Sequence, residues 1–178
     1  MHYTVLTIIL SAALVCGNAQ LPDRITVEKG VEIVEETSWT APMPEEHLAY
    51  LVVCCEKYHV PVELALAVIE RESGFQPDAV SATNDYGYMQ INEGNFECAA
   101  RDYDLLPKTR PLDNIEFGVM MLDKARDFCG EGFTWERALM VYAMGPSARQ
   151  DPAWERGTTE TISRTMERAD EIRESRGV

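Results

Sequence analysis

The chain has 178 residues, 46% of them hydrophobic, and a formal net charge of −14 at pH 7. That length and apolar content suit one domain with a real core and argue against intrinsic disorder. The acidic balance disfavours nucleic acid and anionic membranes as partners, and excess acid on a secreted protein more often means only solubility.

The N-terminus reads as a separate segment. Val5 to Leu14 is an apolar run too short to span a membrane, and Gly17-Asn18-Ala19 is a small-residue cleavage site. We therefore expect a secretory signal peptide over residues 1–19 and a secreted or periplasmic protein, although the n-region carries only His2 and no Lys or Arg. Cys16 raises a lipoprotein reading, against which stands Val15, larger than the small residue such anchors use. The mature chain keeps Cys54, Cys55, Cys98 and Cys129, an even set that in an oxidising compartment suggests two bridges. Cys54–Cys55 bonding is sterically poor, so each is expected to take Cys98 or Cys129. A zinc site would have to recruit His47 or His59, and no C-x-x-C or H-x-x-x-H pair supports one. No metal or cofactor is expected.

Residues 20–43 read as a loose extension with a short strand at 32–34, and residues 44–178 as the single folded domain. A helix is expected from Pro44 to about Tyr58, with acids in its first turn. Pro61 starts the next, which ends at Glu72 before Gly74 and Pro77. Its apolar stripe runs Leu64, Ala65, Val68, Ile69, and the helical period puts Glu72 on that stripe, with Glu63 and Glu70 on the opposite, solvated face. A half-buried carboxylate has its ionised form disfavoured, and an acid that keeps its proton near neutral pH suits general acid catalysis. The other reading is a solvated glutamate where the stripe runs out.

Beyond it, Tyr86, Tyr88, Gln90 and Asn92 alternate with Gly87, Met89 and Ile91, the pattern of a short strand or extended segment. Helices are expected over about 95–103 and after Pro111, the latter with Leu112, Ile115, Val119, Leu122 and Ala125 inward. Another is capped by Thr134, with Trp135, Ala138, Leu139 and Tyr142 inward and its end at Met144-Gly145-Pro146. The last spans about Thr159 to Ser175, with Ile162, Met166, Ala169 and Ile172 as its stripe.

From Tyr58 to Gly145 the chain resembles the soluble lytic transglycosylase catalytic domain of the lysozyme superfamily. The residues that carry the likeness are Ile69-Glu70-Arg71-Glu72-Ser73-Gly74-Phe75, Gly87-Tyr88-Met89-Gln90-Ile91, Asn114-Ile115-Glu116-Phe117-Gly118 and Tyr142-Ala143-Met144-Gly145. Tyr88 stands where the family has Leu, and Ala143 where it has Asn. The resemblance implies a mainly α, lysozyme-like domain with a short β-hairpin or extended segment after the catalytic helix. It also implies peptidoglycan glycan strands as substrate. Glu72 would protonate the bond between N-acetylmuramic acid and N-acetylglucosamine, then act as base to form a 1,6-anhydro end.

Ser73 is a candidate to hold Glu72 or the substrate, or an ordinary helix-end serine. Gln90 would hydrogen-bond sugar, Tyr88 would stack on a sugar ring or lie on the surface, and the Tyr142 hydroxyl would reach Glu72. Asp85 is the candidate second carboxylate of a hydrolysing muramidase, or a turn residue after Asn84. A third reading is a weakly active glycan-binding module or a part of a secretion or phage apparatus. The chain reads as a monomer, and compact enzymes of this kind often serve an envelope-spanning assembly.

Overall fold

A computed structural model of the protein describes residues 39–176. The leader expected over residues 1–19, with Cys16, and the strand expected at 32–34 lie outside the described residues. The described part is mainly helical, with one two-stranded antiparallel hairpin.

Helix α1, Glu45–Tyr58, is buried without a break from Leu48 to Cys55, because it runs through the core instead of along its edge. Helix α2, Val62–Ser73, stops at Gly74, whose φ of 57° lets its N–H return to the Glu70 carbonyl at 3.0 Å. Phe75 stays left-handed at φ 63° and is buried, an uncommon conformation for a bulky residue, directly after the helix that carries Glu72. Then follow α3 (Phe96–Tyr103), α4 (Pro111–Cys129), α5 (Trp135–Met144), a short α6 (Ala153–Arg156) and α7 (Glu160–Ser175). Thr134 and Thr159 cap α5 and α7, accepting from the N–H groups of Arg137 and Ile162. Helix α4 packs between α1 and α5, while α2 lies against α7.

The alternating segment is not one strand. Strand β1 (Asp85–Tyr86) pairs with β2 (Ile91–Asn92), Asp85 opposite Asn92 and Tyr86 opposite Ile91. The chain reverses over residues 87–90, with positive φ at Gly87 (75°) and Gln90 (48°). Reversal removes the two-faced pattern, so Tyr88 and Met89 are both wholly buried.

Helix α4 holds this turn. The buried Asn114 accepts from the Met89 N–H at 2.9 Å and donates to the carbonyls of Tyr86 at 2.8 Å and Pro107 at 3.0 Å. A Cβ on Gly87 would sit 2.6 Å from Asn114 Cγ, and one on Gly118 would sit 2.7 Å from Met89 Cβ. Asn114 and Gly118, one helical turn apart, thus form the bed on which the hairpin turn rests. Gly118→Ala is expected to destabilise the fold in urea unfolding. Helix propensity favours Ala by about 0.5–1 kcal/mol, whereas overpacking a close-packed contact costs about 1–3 kcal/mol.

Two expectations need correcting. Cys54, Cys55 and Cys129 are free, buried thiols, so the two bridges expected among Cys54, Cys55, Cys98 and Cys129 do not form. Cys54 and Cys55 fill α1's core-facing turns as small apolar side chains, with burial pushing both thiols well up. The face of α2 bearing Glu63 and Glu70 is not simply solvated either. It lies under α7, where Arg168 pairs with Glu70 at 2.8 Å and Arg173 approaches Glu63 at 3.9 Å.

Candidate active site

Glu72 ends α2 with its side chain only 4% exposed, against 40% for Glu70 and 19% for Glu63. The helical period therefore separates the three carboxylates as expected. Burial raises the Glu72 carboxyl above its ordinary value of 4.5, and the Arg71 guanidinium opposes that shift without cancelling it. Arg71 donates through Nε at 3.0 Å and through Nη2, both to Glu72 Oε1. Its third nitrogen, Nη1, reaches Thr165 Oγ1 on α7 at 3.0 Å. Nothing in the sequence pattern pointed to Arg71, which as a neighbour of Glu72 reads as a solvated residue.

Asp85 faces the same region, and its charge adds to the raising of Glu72. It is 1% exposed and already occupied. Its Oδ2 accepts from Ser81 at 2.7 Å and Thr83 at 2.5 Å, and its Oδ1 accepts from Asn92 Nδ2 at 2.8 Å. Three donors converging on one carboxylate make Asp85 the knot that ties the 81–85 loop to β2.

Tyr142 is fully buried and donates its hydroxyl to the Met89 carbonyl at 2.9 Å, not to Glu72. The charges of Glu72 and Asp85 still act on its phenol, which burial pushes far up. Met89 is thereby fixed at both ends of its residue, N–H to Asn114 and C=O to Tyr142. Tyr88 is neither a sugar platform nor a surface residue. Its ring is in the core, edge-on to His47, with its hydroxyl 2.8 Å from His47 Nδ1. Gln90 gives its Nε2 to the carbonyls of Gly87 at 2.9 Å and Ala79 at 3.2 Å, which closes the turn. Ser73 donates to the Ile69 carbonyl at 3.1 Å, the usual back-bond of a helix-end serine.

A third buried carboxylate escaped the sequence reading. Glu116, 5% exposed, accepts from Tyr50, from Lys57 at 3.0 Å and from Tyr58 at 3.2 Å, joining α1 to α4. The signal was available: Glu116 follows Leu112 by four and precedes Val119 by three, the same stripe logic that singles out Glu72. The lysine and two phenols around it mark a satisfied structural ion, whereas Glu72 keeps one oxygen uncommitted among the described residues.

A helical domain with a small hairpin, and a buried acid closing a helix beside it, defines a lysozyme-like protein. A family model of the transglycosylase SLT domain matches residues 53–164, and the chain belongs to that family. Protein IpgF of Shigella flexneri is 31% identical over 103 residues, 53% of this chain and 64% of that protein. Protein IpgF of Shigella sonnei matches with the same identity and coverage. The chain thus spans somewhat under two thirds of the length of these curated relatives.

Proposed function

We propose that the chain is a peptidoglycan lytic transglycosylase that cleaves between N-acetylmuramic acid and N-acetylglucosamine with Glu72 as the sole acid–base group. The observation that carries this reading is the burial of Glu72 with a raised carboxyl at the end of the family's catalytic helix. Protonated Glu72 gives its proton to the glycosidic oxygen as the C1–O bond breaks, and the N-acetylglucosamine side leaves as an alcohol. The resulting carboxylate takes the proton of the muramoyl C6 hydroxyl, whose oxygen bonds to C1. Glu72 returns to its starting state, the sugar ends as a 1,6-anhydro ring, and no water is consumed.

Hydrolysis would need Asp85 to form a bond to sugar or activate water. Three hydrogen bonds and 1% exposure oppose both tasks. Asp85→Asn should therefore keep wall clearing within about tenfold, under about 1.4 kcal/mol in barrier. The Ser81 and Thr83 hydroxyls can rotate to accept from the new amide, so urea unfolding should register a loss of about 1–2 kcal/mol. A reducing-end assay tests the reaction class. A lyase clears the wall without new reducing ends, and a rise in them proportional to clearing would return Asp85 to the chemistry. Binding without clearing would favour the glycan-binding module. The proposed setting is outside the cytoplasm, at the wall, with local opening for an envelope assembly as the service performed.

A further inference from the structure

One carboxylate is asked to be an acid and then a base, and its surroundings must tolerate both forms. We propose that Arg71, anchored to the C-terminal helix through Thr165, is a positioning residue that holds Glu72 by one oxygen and supports its charge between the two proton transfers. This inference rests on the reading of Glu72 as acid then base.

The hydrogen bonds divide the carboxyl group. Arg71 Nε and Nη2 both land on Oε1, and Oε2 takes no hydrogen bond among the described residues. The proton therefore belongs on Oε2, because Oε1 is kept as an acceptor by two N–H groups that can only donate. The guanidinium is itself held from behind. Thr165, 3% exposed, donates its own proton to the Thr161 carbonyl at 3.0 Å. A hydroxyl has one proton, so what Thr165 turns toward Arg71 Nη1 is a lone pair, at 3.0 Å. The position of α7 thus sets the position of the guanidinium, and the guanidinium sets that of Glu72.

The groups that face Glu72 from the other elements do not share this task. Asp85, from β1, works against an ionised neighbour. Tyr142, from α5, has spent its proton on Met89. Arg168 and Arg173 of α7 are turned to Glu70 and Glu63. Among the described residues, Arg71 is the cation that lowers the Glu72 carboxyl, first through its charge and then through its hydrogen bonds. Without it, a buried carboxylate beside Asp85 would hold its proton too tightly to be an efficient acid at the working pH.

The test compares wild type, Arg71→Gln and Thr165→Val. The carboxyl of Glu72 is titrated by carbon-13 NMR on glutamate-labelled protein, its signal assigned by its loss in Glu72→Gln, and the pH profile of wall clearing is recorded beside it. Loss of an opposite charge at this range should raise the Glu72 midpoint by about 1–3 units in Arg71→Gln. The alkaline limb of activity should move the same way, with a lower maximum. Thr165→Val, which keeps shape and removes the anchor, should shift both by less and in the same direction. An unmoved midpoint in folded Arg71→Gln overturns the proposal. Should Arg71→Gln not fold, an unmoved midpoint in Thr165→Val does so. A wild type that clears no wall would refute the functional reading, while the titration would still decide the part played by Arg71.

Discussion

Glu72→Gln is expected to abolish wall clearing and to give a protein more stable than wild type at neutral pH. Losing a positioned acid–base group removes about 10²- to 10⁴-fold in rate, and here the same group serves both proton transfers. The gain in stability follows from burial. In the folded chain the Glu72 carboxyl lies above 4.5, whereas the unfolded chain restores that ordinary value. Below 4.5 both states are protonated and Glu72 carries no penalty. Between the two values the unfolded chain has released a proton that the folded chain still holds, so stability falls as pH rises. Above the folded value the loss is complete and levels off. Glutamine has the shape of the protonated acid, keeps an oxygen for Arg71 and has no such step. Urea midpoints of the two proteins should therefore coincide near pH 4 and separate toward pH 7, with glutamine the more stable. Equal clearing by both proteins, or a stability difference that ignores pH, would remove Glu72 from its assigned role.

Asn114→Ala should be the most damaging change remote from Glu72, lowering stability by about 3–5 kcal/mol and clearing with it. Its amide meets three backbone groups on the buried side of the hairpin turn, the N–H of Met89 and the carbonyls of Tyr86 and Pro107. Each buried group left unpaired costs about 1–3 kcal/mol. Alanine leaves all three, and a water entering the gap would recover part of the loss. Asn114→Asp keeps the acceptor for Met89 but sets an acceptor-only oxygen against the carbonyls of Tyr86 and Pro107 in a buried site, so it should be at least as damaging as alanine. Because Met89 is also the residue on which the Tyr142 hydroxyl rests, a displaced turn carries that contact with it. Urea titrations of the three proteins, with clearing measured where each is folded, would show the order. Alanine as stable as wild type would mean that the turn is held by other contacts.

Helix ends were legible in the sequence because their signals are local. Pro61 and Gly74 bracket α2, and Thr134 and Thr159 sit at the caps of α5 and α7. Glu72 was legible for the same reason, since a side chain's place on a stripe follows from its own helix. The residue pattern by itself did not show the hairpin, which the family resemblance allowed for, because a four-residue reversal at Gly87 and Gln90 leaves the alternation of an unbroken strand in the sequence. Tyr88 was misplaced with it: its partner, His47, lies 41 residues earlier, and no spacing rule connects them. Asn114 and Gly118 are one turn apart in plain view, yet their purpose depends on which backbone lies against them. Arg71 and Thr165 are separated by 94 residues and meet only because α7 folds back over α2. Cysteine parity misled because buried free thiols, taken as core packing, obey no parity.

The most direct test is mass spectrometry of purified peptidoglycan digested by the protein, with Glu72→Gln run beside it. Wild type is expected to release muropeptides with 1,6-anhydro ends, one water lighter than hydrolysed products, and the variant none. Products carrying the added water, or the same products from both proteins, would contradict the proposed reaction.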